Sequence, residues 1–154
     1  MTVLRPITPA DHEAVLAINE RHVAALSPLD AERLALLLTM AAHADVIVAG
    51  DAVAGFVLAF APGTTYDSVN YRWFSGRYDD FLYLDRIAID HAYQRRGLAS
   101  RVYDELESAA VVRGRMVLEV NADNEPSLAF HRARGYVEVA PLGKAILMAK
   151  PLVG

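Results

Sequence analysis

Apolar positions along the chain fall into two rhythms. Val15, Ile18, His22 and Leu26 recur at helical spacing. Ahead of them, Thr8-Pro9-Ala10-Asp11 supplies a capping hydroxyl, a proline for the first helical position and an acid for the positive end of the dipole. The same grammar repeats at Ser27-Pro28-Leu29-Asp30, followed by Leu34, Leu37, Leu38 and Ala41 on one helix face. Leu98, Val102, Leu106, Ala109 and Val112 predict a third helix closed by Gly114, and Pro126 to Arg134 a short fourth closed by Gly135. Between these lie runs with strand character: Val3 to Ile7, Asp45 to Ala49 and Ala52 to Phe60, the last two joined by the hairpin signal Gly50-Asp51. Phe81 to Asp90 is the strongest, with Phe81, Tyr83, Asp85, Ile87 and Ile89 expected on one face. Arg115 to Asn121, Tyr136 to Val139 and Ala145 to Lys150 complete the set.

Two early helices and two that alternate with later strands predict a mixed α/β (α+β) fold, with a largely antiparallel central sheet flanked by about four helices. No linker, repeat or low-complexity tract interrupts the chain, so residues 1–154 read as one domain. The stretch from Thr64 to Asp80 reads as a long loop rich in aromatic and charged residues, and loops of that length are usually functional or disordered. Its aromatic content argues against disorder.

Composition narrows the function classes. With 54% hydrophobic and 22% charged residues, the chain is neither disordered nor fibrous. A net charge of −4 argues against a generic nucleic-acid binder. The absence of cysteine removes disulfides, thiolate metal sites and cysteine nucleophiles. No apolar run reaches the ~20 residues that span a bilayer, and the N-terminus meets polar residues too early for a signal peptide. A cytoplasmic location with no membrane partner is therefore expected. The five histidines show no metal-binding spacing, so no metal is expected. A Gly-x-Ser-x-Gly elbow, a Walker loop and a dinucleotide Gly-x-Gly-x-x-Gly are also missing.

The average charge hides a division. Tyr93 to Arg101 carries three arginines and no acid, whereas Asp79 to Asp90 carries four aspartates against Arg86 alone. In the basic stretch, Gln94-Arg95-Arg96-Gly97-Leu98-Ala99 lies between the strongest strand and the third helix. A helix N-terminus offers unpaired N–H groups and partial positive charge to a phosphate, and Gly97 lets an anion approach the backbone. Arg95 and Arg96 either add charge there or point into solvent. The hexamer alone also fits an ordinary helix start with a packing glycine.

These residues resemble the GNAT superfamily of acetyl-CoA-dependent N-acyltransferases. Leu84-Asp85-Arg86-Ile87-Ala88-Ile89, then Gly97 and Ala99, is similar to that family's central strand and pyrophosphate loop. A second block, Val120-Asn121, Asn124, Ser127, Phe130-His131 and Gly135-Tyr136, resembles its later strand–helix–strand unit. The order of elements from Val3 to Lys150 fits as well.

The resemblance implies a GNAT-like sheet whose cofactor strand splays from its neighbour. The backbone of Ile87, Ala88 and Ile89 would then face the pantetheine arm of coenzyme A, pairing with it as an added strand does. Arg95, Arg96, Gly97, Leu98, Ala99 and Ser100 would hold the diphosphate, with Asn124, Ser127 and His131 beside the pantetheine. For Asn124 the alternative is plain helix capping. His131 stands where the family commonly has a tyrosine near the thiol. It would serve as general acid, steer the thiol by a hydrogen bond, or sit on the helix surface with no role.

Amine acyl transfer requires removal of a proton from an ammonium of pKa ~10.4. Asp85 is the first candidate base, with a salt bridge to a neighbouring arginine as the alternative, and Glu119 on the adjacent strand is the second. The aromatic loop is the expected acceptor site. Tyr66, Tyr71, Trp73 and Tyr78 with Asp79 would form a cation-binding wall, or else the aromatics plug a satellite core. The expected function is N-acetyl transfer from acetyl-CoA to a small primary amine or amino-acid-like acceptor by direct transfer, with a homodimer left open. A non-catalytic acyl-CoA-binding module is the alternative, motivated by His131 in the tyrosine position.

Overall fold

A computed structural model describes residues 2–154. It places α1 (His12–Arg21) and α2 (Ala31–Met40) after β1 (Leu4–Pro6), followed by the hairpin β2 (His43–Ala49) and β3 (Ala52–Phe60). Next come α3 (Val69–Arg77), β4 (Leu82–Ile89), α4 (Leu98–Ala110), β5 (Arg115–Asn121), α5 (Glu125–Ala133), β6 (Val137–Leu142) and β7 (Ala145–Pro151). The strands form one sheet in the order β1-β2-β3-β4-β5-β7-β6, antiparallel except for β4 beside β5. Among the described residues, no helix is long and apolar enough to cross a membrane.

Two predicted starts resolve differently. The Thr8-Pro9 signal opens a single 3₁₀ turn, Pro9–Asp11, before α1. Asp11 is buried there because its carboxylate accepts from Thr8 N at 2.8 Å, Thr8 Oγ1 at 2.9 Å and a forked Arg5 guanidinium at 2.8 and 2.9 Å. The second helix is capped by Asp30 rather than Ser27, since the Asp30 carboxylate accepts from Arg33 N at 2.7 Å.

The sheet is covered on both faces. Val15 and Ile18 of α1, Leu34 and Leu37 of α2, and Tyr71 and Phe74 of α3 pack on one face with Phe56, Leu58 and Phe60. Leu98, Val102, Tyr103, Leu106 and Ala110 of α4, with Leu128 of α5, pack on the other. Ala110 takes the buried place expected for Ala109, and Val112 is 88% exposed because the helix tightens to 3₁₀ geometry at Val111.

The predicted long loop contains a helix, which makes five rather than four α-helices among the described residues. Its sequence, VNYRWFSGR, buries only Tyr71 and Phe74 and includes Gly76, a poor helix former. Packing holds it instead. Ser68 caps it by accepting from Tyr71 N at 3.2 Å, and the Tyr71 hydroxyl donates to Ala61 O at 2.7 Å. Burying the Tyr71 and Phe74 rings contributes roughly 1.5–3 kcal/mol each.

The strongest strand also departs from simple alternation. Leu58 opposes Arg86 while Ala59 opposes Leu84, so Asp85 is an extra residue in a β-bulge. The bulge inverts parity. Tyr83 packs on the α1–α3 face, whereas Ile87 and Ile89 pack toward α4, so the single face expected for Phe81, Tyr83, Asp85, Ile87 and Ile89 is divided in two.

Candidate active site

The parallel pairing of β4 and β5 ends after two positions, Leu82 with Met116 and Tyr83 with Val117. Beyond them the strands diverge, and a cleft of about 960 Å³ opens. On its other side β4 remains paired with β3. Asp90 N donates to Ala54 O at 2.7 Å, and groups in an antiparallel ladder alternate. Ala88 and Arg86 therefore turn their backbone groups toward β3, while Ile87 and Ile89 turn theirs into the splay. The Ile89 carbonyl already accepts from Gln94 Nε2 at 2.9 Å.

At one end of the cleft lies the turn before α4. Arg95 (φ 62°) and Gly97 (φ 75°) both adopt left-handed backbone geometry. Such alternation converges successive N–H groups into an anion-binding nest at the helix start. Nothing lies within 4 Å of where a Gly97 Cβ would stand, so the concavity is open to a ligand. Arg95, Gly97, Leu98, Ala99 and Ser100 line the cleft. Arg96 does not; its guanidinium lies 5.2 Å from the Tyr93 ring centroid, an aromatic contact that takes it out of the cradle. The nest and the unpaired edge of β4 together fit a long cofactor that ends in a diphosphate.

The opposite end holds two carboxylates. Asp85, its side chain only 7% exposed, accepts from Tyr66 Oη at 2.7 Å and from Arg86 Nε at 2.8 Å. The burial of Arg86 works against its charge, and Asp85 overcomes that to hold the guanidinium more firmly cationic than usual. Glu119 forms no ion pair among the described residues. Asn70 Nδ2 donates to Oε1 at 3.0 Å, and the Tyr83 hydroxyl donates to the same carboxyl. Burial pushes the Glu119 pKa up to about 7, with the Asp85 charge adding and the Tyr83 and Asn70 hydrogen bonds opposing. Burial also holds the Tyr83 phenol well above its ordinary value, so it acts as a donor.

His131 is buried, not on the helix surface. Nδ1 lies 2.7 Å from the Ser127 carbonyl, which can only accept, so Nδ1 carries the hydrogen. Nε2 then accepts from the Tyr103 hydroxyl at 2.7 Å. Burial lowers the His131 pKa, which favours this neutral form. Asn124 caps α5 by accepting from Ser127 N at 3.3 Å, and it lines the cleft together with Ser127 and His131.

The expected acceptor wall is not assembled. Tyr66 lines the cleft, but Tyr71, Trp73, Tyr78 and Asp79 do not. Tyr71 is buried in the core, and the other ring faces are occupied by the protein's own arginines. Arg77 lies 6.0 Å from the ring centroids of both Trp73 and Tyr78, Arg115 lies 4.1 Å from Tyr78, and Arg33 lies 5.7 Å from Tyr66. The α1–α2 connection, Ala25 to Pro28, lines the cleft instead, as do Ser68 and Asn70 at the start of α3. Sequence reasoning missed Asn70 and Tyr103. Tyr103 had a signal, since it precedes Leu106 by three residues on the apolar stripe of α4; Asn70 had none.

A splayed parallel strand pair, with an anion nest at one end and a near-neutral carboxyl at the other, defines a protein that can present a long phosphorylated cofactor to a proton acceptor. The acetyltransferase (GNAT) family profile matches residues 15–136, and the chain belongs to that family of acetyl-CoA-dependent acyltransferases. Among solved structures, it is similar to Ard1 from Thermoplasma volcanium at 19% identity, with a TM-score of 0.77 over 98% of this chain and 97% of that one. The ribosomal-protein-S18-alanine N-acetyltransferase from Escherichia coli is 22% identical, with a TM-score of 0.70 over 100% and 96%. NAA60 of Arabidopsis thaliana, in a complex with acetyl-CoA, is 20% identical, with a TM-score of 0.72 over 97% and 98%. No curated protein matches the chain at a significant level.

Proposed function

We propose that the chain is an N-acetyltransferase that passes the acetyl group of acetyl-CoA directly to a small primary amine or amino-acid-like acceptor within a ternary complex. Glu119 carries this reading: it is a carboxyl of pKa about 7 at the point where β4 and β5 part, with no cation paired to it among the described residues. A group poised near neutrality accepts a proton from an ammonium most effectively at physiological pH.

Acetyl-CoA supplies the acetyl group as an activated thioester. The backbone of Ile87 and Ile89 holds the pantetheine arm as an added strand, and the amides from Arg95 to Ser100 hold the diphosphate. Asn124 and Ser127 flank the pantetheine. Glu119 would take the acceptor's proton, directly or through one water, and the Ile87 N–H would support negative charge on the carbonyl oxygen. As the nitrogen–carbonyl bond forms the carbon–sulfur bond breaks, and coenzyme A would leave as a thiolate that recovers the proton from Glu119 or solvent. Asp85, engaged by Arg86 and the Tyr66 hydroxyl, shapes the site. His131, with both nitrogens engaged, steers the thiol end through Tyr103 rather than giving up a proton. The chain has no cysteine to carry the acetyl group, which favours direct transfer.

The reading is tested by following coenzyme A release with putrescine, tyramine and alaninamide against glycolate and glycerol 3-phosphate. Turnover of the amines is expected, and exclusive turnover of the anionic acceptors sinks the proposal.

A further inference from the structure

The connection between α1 and α2 forms one wall of the cleft, yet residues 22–30 contain no helix or strand. Leu29 is their only fully buried side chain, so little apolar packing fixes the wall in place. A polar triangle does that work. Asn19, at 0% exposure on α1, donates Nδ2 to the Ser27 carbonyl at 3.0 Å. Arg86, at 6% exposure, donates Nη1 to that carbonyl at 3.1 Å and to Asn19 Oδ1 at 3.1 Å. Its Nε holds Asp85 at 2.8 Å. The Ser27 carbonyl therefore receives two donors, one from the helix before it and one from the sheet beneath. Because Arg86 is bonded to both Ser27 and Asp85, this wall stands at the carboxylate end of the cleft.

We infer that Asn19 and Arg86 are positioning residues that fix the 25–28 wall against the bulge at Asp85 and so set affinity for the acceptor without taking part in acyl transfer. The inference rests on the acetyltransferase reading above. It also explains what Asp85 is for. A buried guanidinium without a carboxylate is strongly unfavourable, and the bulge places an extra side chain where Arg86 needs one. Asn19 lies outside the lining of the cleft, so its removal reports on the wall and not on a lost substrate contact.

The test compares wild type with Asn19→Leu, which keeps the branched shape and removes both hydrogen bonds, and Arg86→Lys, which keeps the charge but not the fork. The expected result for Asn19→Leu is an acceptor KM raised about tenfold, in line with loss of a buried charge-assisted hydrogen bond. Its kcat and its Kd for coenzyme A should stay within about twofold of wild type. Hydrogen exchange should accelerate across residues 22–30 and remain slow in β3, β4 and β5. Arg86→Lys should show the same regional acceleration with a smaller rise in KM. If Asn19→Leu instead unfolds locally beyond residues 22–30, Arg86→Lys alone decides. Unchanged exchange in 22–30, or a kcat that falls while the acceptor KM holds, overturns the inference. If wild type acetylates none of the three amines, the functional reading fails instead. The exchange and coenzyme A measurements then still decide whether the triangle holds the wall independently of the nest.

Discussion

Replacing Glu119 with glutamine should abolish most activity and at the same time stabilise the protein, increasingly so as the pH rises from 4.5 to about 7. The fold prefers the protonated carboxyl, whose pKa rises from an ordinary 4.5 to about 7. Below pH 4.5 the group is neutral in folded and unfolded chains alike, and it makes no difference. Between pH 4.5 and 7 the unfolded chain ionises first, so stability falls as pH rises. Above about pH 7 the full penalty is present. At 1.36 kcal/mol per tenfold change this amounts to about 3 kcal/mol at pH 8 and under about 1 kcal/mol at pH 5. Glutamine keeps the donors satisfied. Its oxygen replaces Oε1, which accepts from Asn70 and Tyr83, and its amide nitrogen falls at Oε2, 3.0 Å from the Tyr83 oxygen, which can accept from it. Thermal unfolding of Glu119→Gln should therefore show a Tm gain of about 5–10 °C at pH 8, shrinking to a few degrees at pH 5. In parallel, kcat/KM for an acetylated amine should fall by about 10²–10⁴. A Tm gain that is absent or independent of pH refutes the argument about burial; retained activity refutes the role of Glu119 as base.

Three other substitutions probe the rest of the site. Gly97→Val puts a β-branched residue at φ 75° and a side chain over the nest, so calorimetric titration with coenzyme A should show affinity down at least about tenfold with folding cost of about 1–3 kcal/mol. Gly55→Ala drives a Cβ into the Ala88 carbonyl across the β3–β4 ladder; urea unfolding should register about 1–3 kcal/mol lost, and coenzyme A affinity should fall as Ile89 shifts. His131→Phe leaves the Tyr103 hydroxyl buried without its acceptor and should lower stability by about 1–3 kcal/mol and reduce turnover, as melting and steady-state assays at pH 7.5 will show. Its kcat/KM–pH profile should keep an acid limb near pH 7, because Glu119 and not the neutral imidazole titrates there; a displaced limb would falsify that assignment.

The nest at the start of α4 is legible in the sequence, and the carboxylate end of the cleft is not. Gly97 at a strand–helix junction announces its conformation locally, as does Asn124 at a helix start, because capping and left-handed turns are decided within a few residues. The carboxylate end depends on contacts between distant segments. Tyr71 and Phe74 turn VNYRWFSGR into a helix only because a core waits for them, and that helix then delivers Asn70 to Glu119 across 49 positions of sequence. The aromatics looked like a cation site because their composition was read without their neighbours. Arg33 and Arg115 come from other elements and Arg77 from the end of α3 itself, and together they already fill the ring faces.

The two carboxylates show the same limit most clearly. Asp85 and Glu119 sit on adjacent strands of one cleft, and nothing in their local sequence ranks one above the other as a base. The bulge at Asp85 decides the matter. By adding one residue to β4 it brings Asp85 and Arg86 to the same side of the sheet, where the guanidinium at 2.8 Å claims the aspartate as its counter-ion. Glu119, on unbulged β5, meets only neutral donors among the described residues, so burial outweighs their hydrogen bonds and its pKa climbs to about 7. A register shift of one residue thus separates a structural carboxylate from one able to exchange protons at neutral pH. The division predicts that Asp85→Asn should impair the packing of the 25–28 wall while leaving the acid limb to Glu119.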